Sequence, residues 1–136
     1  MLFVDTSALV ALADSSDRYH HAALDYLKSL RIGAGDLIVT GYILDETFTR
    51  LRRTIGHQHA VVFGEGILTS ALYTIVNIDA RTFKLAWEWF KTYNDKEFSF
   101  TDCTSFVVMK ALRLDKAFAF DKHFVQAGFT LCPEEG

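Results

Sequence analysis

Two aspartates in this sequence stand in the same local setting. Leu2-Phe3-Val4 runs into Asp5, and Ala117-Phe118-Ala119-Phe120 runs into Asp121. A short apolar run closed by a carboxylate reads as a buried strand delivering an acid at its carboxyl end, the edge where open α/β sheets bind their ligands. Two such acids in one crevice are suited to a divalent cation, because hard ions take oxygen ligands. A plainer account stands beside this one: Asp favours the turns and caps that follow strands.

Two further acids belong in the same discussion. Asp102, in Ser99-Phe100-Thr101-Asp102-Cys103-Thr104, opens a helical stretch. There it either serves a site or complements the positive end of the helix dipole behind a Thr101 cap. Glu46 lies off the apolar stripe of Leu44, Phe48 and Leu51, with Arg50 four residues on. It either faces a cleft or forms an ordinary i,i+4 pair with that arginine. Asp45 adjoins it, and helical register decides which of the two turns inward; Glu46 is the one favoured.

Other chemistry-bearing residues give weaker patterns. His20-His21 and His57-x-His59 lack the i,i+4 spacing of a helical metal pair and are read as structural or surface residues. Cys103 and Cys132 fit no metal-ligand spacing and read as small apolar side chains. Thr49-Arg50-Leu51-Arg52-Arg53 is the dense basic group. Its arginines, Arg50 and Arg53 above all, either track phosphates or form a solvated helix face. Lys122 and His123 follow Asp121 directly, at the substrate or on plain surface.

The elements that must position these residues alternate along the chain. Strands are expected at Leu2 to Val4, Leu37 to Val39, Leu72 to Ile78, Ala117 to Phe120 and Phe129 to Leu131. Helices are expected from Ala8 to Ala13 behind a Thr6 or Ser7 cap, and from Asp17 to Leu30. More follow through Leu44 to Ile55, His59 to Thr69, Asp79 to Tyr93 and Thr101 to Arg113. Phe83, Trp87 and Phe90 form one side of the Asp79–Tyr93 helix, and the aromatic stripes, Trp87 and Trp89 included, read as core. Short, apolar, unalternating strands between helices predict an α/β fold: a central parallel sheet of four to five strands with helices on both faces.

The chain has 136 residues, half of them hydrophobic, with twelve Phe and one Pro. That suits a single domain over 1–136 with a core large enough to need no staple. The apolar start lacks a basic leader and is broken by Asp5, and no run reaches the roughly twenty apolar residues of a membrane span. The expectation is a cytoplasmic protein. A net charge of −3 is not that of a simple nucleic-acid binder. With four of the 17 acids committed to a site, though, the rest of the chain is close to neutral.

Phe3-Val4-Asp5-Thr6-Ser7, Asp45-Glu46, Phe100-Thr101-Asp102 and Ala119-Phe120-Asp121, in this order and between these elements, resemble the PIN domain across nearly the whole chain. The short length is most similar to the VapC toxins of toxin–antitoxin pairs. The resemblance implies a PIN-like three-layer α/β/α fold and a metal-dependent endoribonuclease. It implies four acidic ligands for Mg²⁺ or Mn²⁺, matched by Asp5, Glu46, Asp102 and Asp121. Supporting hydroxyls are matched by Thr6 or Ser7 and by Thr101. It also implies an RNA substrate, products with 5′-phosphate and 3′-hydroxyl ends, a cognate antitoxin and a homodimer. Many members carry another acid shortly after the third, where this chain has Thr104 and Ser105.

Three other readings remain. One is a PIN-like nuclease of RNA processing, and another is a non-catalytic binding module. The third is a phosphatase of the haloacid-dehalogenase type, which needs a second acid where Ser7 stands.

Overall fold

The computed structural model describes residues 1–134. Five strands form one parallel sheet: β1 (Leu2–Val4), β2 (Leu37–Thr40), β3 (Tyr73–Val76), β4 (Lys116–Phe118) and β5 (Thr130–Cys132). Their order across the sheet is β3-β2-β1-β4-β5. The chain builds outward from β1 in one direction through β2 and β3, then returns to pair β4 on the other side of β1. Phe3 is in register with Ile38 on one side and with Ala117 on the other. β1 and β2 are buried throughout, whereas the edge strand β3 is partly exposed. This is the burial expected for Val/Ile/Leu-rich parallel strands covered by helices.

Seven helices cover the sheet in a three-layer α/β/α arrangement: α1 (Thr6–Ala13), α2 (His20–Ser29), α3 (Gly41–Thr54), α4 (His57–Thr69), α5 (Ala80–Thr92), α6 (Phe100–Ala111) and the short α7 (His123–Gln126). α6 is the most interior, with every residue from Asp102 to Met109 buried. Phe106 is fully enclosed, its ring centroid 5.0 to 5.7 Å from those of Trp89, Phe98, Phe124 and Phe129. Polar groups inside are matched. Thr6 donates to the Ile43 carbonyl at 3.3 Å, and Thr47 donates to Thr6 at 3.2 Å, tying α1 to α3. The free thiols of Cys103 and Cys132 are both buried.

Several expectations are corrected. The helix start after β1 is capped by Asp5, not by Thr6 or Ser7; Asp5 keeps extended backbone from the strand and accepts the Ser7 N–H. Ser99, not Thr101, caps α6, with Asp102 closing a capping box. α2 starts at His20, with Asp17 accepting from Tyr19 N–H ahead of it. β4 stops at Phe118, three residues short of Asp121, and α7 was not anticipated. The largest correction concerns α5. Phe83 and Phe90 lie against Phe100 at the start of α6 yet stay about half exposed, as does Trp87 at 47%, while Ala86 is buried and Trp89 packs on Phe106. The helix carries two apolar stripes, and the one with the small Ala86 allows close approach to α6.

This difference gives a test of where the core lies. Phe106→Ala should lower unfolding free energy by about 3–5 kcal/mol, whereas Trp87→Ala should cost no more than about 1 kcal/mol. Urea unfolding of both variants, followed by circular dichroism, measures the contrast.

Candidate active site

The site forms where the chain reverses its direction of travel across the sheet. β1 and β4 are neighbours, but the segments leaving their carboxyl ends diverge, opening the crevice that α/β sheets use for ligands. Asp5 is the first residue beyond β1, and its N–H donates to the Phe118 carbonyl of β4 at 3.0 Å. The Asp5 carboxylate takes two hydrogen bonds on Oδ2, from the Ser7 N–H at 3.1 Å and the Ser7 hydroxyl at 2.6 Å. The same hydroxyl oxygen accepts the Phe120 N–H at 2.9 Å, so Ser7 spans the crevice from Asp5 to the loop after β4.

Asp102 arrives from the first turn of α6. Its Oδ2 accepts the Ser99 N–H at 3.0 Å and lies 2.9 Å from His123 Nδ1. Asp121, in the loop leading to α7, places Oδ1 2.9 Å from the His123 N–H and 3.2 Å from His123 Nδ1. Asp102, Asp121 and His123 each offer one ligand-type atom, all within 4.8 Å of one another. Glu46 is half-buried on α3 while Asp45 is exposed, which agrees with the register favoured from sequence.

Electrostatics couple the four acids. Burial pushes the Asp5 carboxyl up to about 7, with the charges of Asp102 and Asp121 adding to the rise and the Ser7 bonds opposing it. Asp102 is raised by burial and by Asp121, against the Ser99 bond and His123. Glu46 is raised by burial and by Asp102 and Asp121, while Arg50 and the Thr101 hydroxyl ease it. Each of the three therefore senses the charge of Asp121 across the crevice, and Asp5 and Glu46 also sense that of Asp102. Arg50 is 3.9 Å from Glu46, so the ordinary i,i+4 pair and the inward-facing position both exist in the fold.

The remaining candidates divide clearly. Ser7 supports Asp5, while Thr6 turns to α3 and away from the acids. The hydroxyls of Thr104 and Ser105 both donate to the Thr101 carbonyl. Arg53 is exposed on α3. His20 and His59 bond the backbone carbonyls of Ala11 and Ile55. The residue whose role the sequence left open is His123. Its position two residues after Asp121 was visible, but its contact with Asp102, 21 residues away, was not.

The donor set suits a hard divalent ion. It gathers carboxylates that disfavour one another's charge, in surroundings that penalise each charge. A cation there relieves both effects.

The chain is similar to known proteins in both sequence and fold. The PIN domain matches residues 2–130. The chain is 37% identical over 130 residues to the 23S rRNA-specific endonuclease VapC20 of Mycobacterium tuberculosis, covering 95% of each. It is 38% identical over 91 residues to a VapC ribonuclease of Archaeoglobus fulgidus, covering 66% of this chain and 56% of that protein. The crystal structure of the M. tuberculosis VapC20, described as a sarcin–ricin loop cleaving toxin, superposes with a TM-score of 0.88 at 34% identity. That match covers 96% of this chain and 97% of the other.

The raised Asp5 carboxyl makes stability depend on pH in a definite direction. Because its folded value lies above the unfolded one of 3.8, the folded state holds the proton more tightly. Asp5 thus favours folding below about pH 4 and loses that contribution as pH rises through about 7. Thermal melts in chelator should show stability falling over this window. Asp5→Asn should flatten the profile and raise Tm at pH 8. Mn²⁺ should restore wild-type Tm at pH 8 and do little for the variant.

Proposed function

The chain belongs to the PIN domain family and is a nuclease, and on that premise we propose that it is a divalent-metal-dependent endoribonuclease acting through Asp5, Glu46, Asp102 and Asp121. The observation that carries the reading is the meeting of Asp102 and Asp121 around His123, beside the buried Asp5, at the point where β1 and β4 diverge. Carboxylates held this way have no structural advantage over neutral residues of the same shape, because burying like charges together is unfavourable.

Asp5, Asp102 and Asp121 are the residues that would hold Mg²⁺ or Mn²⁺, with Glu46 on the α3 side of the crevice. When bound, such an ion polarises the scissile phosphate and lowers the pKa of a bound water. The protein's own residues do the rest. Ser7 fixes the Asp5 carboxylate, the Ser99 N–H fixes that of Asp102, and the walls of β1, β4 and α6 keep the acids dry enough for charge interactions to be strong. Glu46, half-buried and close to the Thr101 hydroxyl, is placed to orient a water or a second cation. Arg50 stands beside Glu46 on the rim, and Arg53 lies one turn further along α3; they are the proposed phosphate contacts.

A structured ribosomal RNA loop is the proposed substrate class, supported by the relative of 37% identity that is named for 23S rRNA. If the chain is a toxin in the sense of that relative, a cognate antitoxin follows as its partner, and a homodimer is proposed with it. No helix among the described residues is long and apolar enough to cross a membrane.

A labelled sarcin–ricin hairpin incubated with Mn²⁺ or Mg²⁺ tests the reading. Wild type should cut it, chelator should abolish cutting, and Asp5→Asn and Asp121→Asn should each lose at least about 100-fold, more than the loss of an outer-shell partner. Products should carry 5′-phosphate and 3′-hydroxyl ends. A cyclic phosphate would mean that the neighbouring 2′-hydroxyl attacks, and would remove water from the mechanism.

A further inference from the structure

Each aspartate of the site divides its carboxylate between two tasks. Asp5 engages Oδ2 with the Ser7 N–H and hydroxyl, and Asp102 engages Oδ2 with the Ser99 N–H and His123. Asp121 engages Oδ1 with the His123 N–H and imidazole. The second oxygen of each (Asp5 Oδ1, Asp102 Oδ1, Asp121 Oδ2) accepts no hydrogen bond among the described residues. Every anchored oxygen has a backbone N–H as one donor; His123 Nδ1 also hydrogen-bonds Asp102 Oδ2 at 2.9 Å and lies 3.2 Å from Asp121 Oδ1.

We propose that His123 is a positioning residue that clamps Asp102 to Asp121 through Nδ1 and so aims their two free oxygens at one cation, without itself binding that cation. Asp102 comes from α6 and Asp121 from the loop before α7. Within the site, His123 Nδ1 is the group that touches both carboxylates, at 2.9 and 3.2 Å. Its ring has little freedom, because it stands edge-on to Phe98 at 5.7 Å and its backbone N–H is also bonded to Asp121. Phe98 in turn packs on the enclosed Phe106, so the clamp is referred to the core.

The pattern of contacts separates a clamp from a ligand. Nδ1 meets the anchored oxygens and not the free ones, and donation through Nδ1 places its hydrogen where a metal would need a lone pair. Carboxylates that bind metal are oriented by outer hydrogen bonds, and losing such a partner costs about 10–100-fold in metal affinity. His123 reaches two of them at once, Asp102 through Nδ1 and Asp121 through its backbone N–H, with Nδ1 3.2 Å from the same Asp121 oxygen.

The proposal rests on the metal-dependent reading above, and Mn²⁺ titration of the whole protein tests both. Calorimetry should show His123→Ala binding Mn²⁺ about 10–100-fold more weakly than wild type. His123→Asn should bind close to wild type, because the Asn amide nitrogen takes the place of Nδ1. His123→Gln, which puts its nitrogen nearer the place of Nε2, should stay as weak as the alanine variant. Electron spin-echo spectroscopy of Mn²⁺-loaded wild type should show no directly bound nitrogen. Melting in chelator checks that each variant is folded, and if the alanine variant is not, the Asn-against-Gln contrast decides.

Nitrogen bound directly to Mn²⁺ would make His123 a ligand and overturn the clamp. Wild-type affinity in folded His123→Ala, or no difference between Asn and Gln, would overturn it as well. Folded wild type that takes up no Mn²⁺ would overturn the clamp and the metal-dependent reading together, whereas tight wild-type binding unchanged by the substitutions would overturn the clamp alone.

Discussion

Parallel pairing between β1 and β4 is the constraint on which the site depends. These strands lie more than a hundred residues apart in sequence, yet Phe3 and Val4 are in register with Ala117 and Phe118. The register sets Asp5 beside the Phe118 carbonyl and leaves the following loop to bring Phe120 N–H onto Ser7. A slip of one residue would turn every side chain of a strand to the other face of the sheet. Phe3, Val4, Ala117 and Phe118 are all completely buried, so such a slip would expel core side chains as well as misplace the acid. The hydrophobic pattern that fixes the sheet therefore also fixes the place of Asp5, and no separate device is needed to align Asp5 with the segment that carries Asp121.

What that alignment creates is electrostatically unfavourable in the metal-free protein. Asp5 is only 5% exposed and Asp102 only 7%; burial raises both carboxyls, the charge of Asp121 adds to each, and that of Asp102 adds to Asp5. Among the described residues, the Lys or Arg ion pair that reaches these acids is that of Arg50 with Glu46, at 3.9 Å on a half-exposed rim. At that exposure its attraction is weakened by water and salt. A fold under selection for stability alone would have placed a cation inside or used neutral residues. Local rules broken without internal compensation are the mark of a functional position. Here the missing compensation has the sign and donor chemistry of a divalent ion.

Much of this was legible in the sequence because it follows from period and order. Apolar runs of strand length alternating with helical stretches pointed to the parallel sheet, and acids after two such runs supplied two of the proposed site residues. Less legible were features that depend on which of two equivalent local solutions the tertiary structure selects. On α5, Phe83, Trp87 and Phe90 share one stripe, but Ala86 and Trp89 share another. Periodicity carries no information about which is enclosed: Ala86 is buried and Trp89 packs on the core residue Phe106, whereas Phe83 and Phe90 meet Phe100 at the start of α6. The α6 cap is a different case: Ser99-Phe100-Thr101-Asp102 has the spacing of a capping box, and that signal was available in the sequence. The His123–Asp102 contact was out of reach because it joins two elements through a three-dimensional turn with no sequence period.

The sequence posed each acid as a choice between an ordinary structural role and a site role, and the geometry leaves room for both in the same residue. Asp5 is the N-cap of α1, Asp102 closes the α6 capping box, Asp121 caps the turn into α7, and Glu46 pairs with Arg50. Those roles occupy one oxygen of each aspartate. A carboxylate has lone pairs on both oxygens, so a backbone N–H on one does not spend the other. The structural bond instead fixes the rotamer and so the direction in which the second oxygen looks, which a flexible acid on an open surface lacks. Binding a cation with preset ligands avoids the entropy of ordering them. The capping residues that an element-by-element account would set aside as mere helix starts are thus the ones best prepared to act together. Their ordinary bonds are the reason the site can be rigid without any further framework.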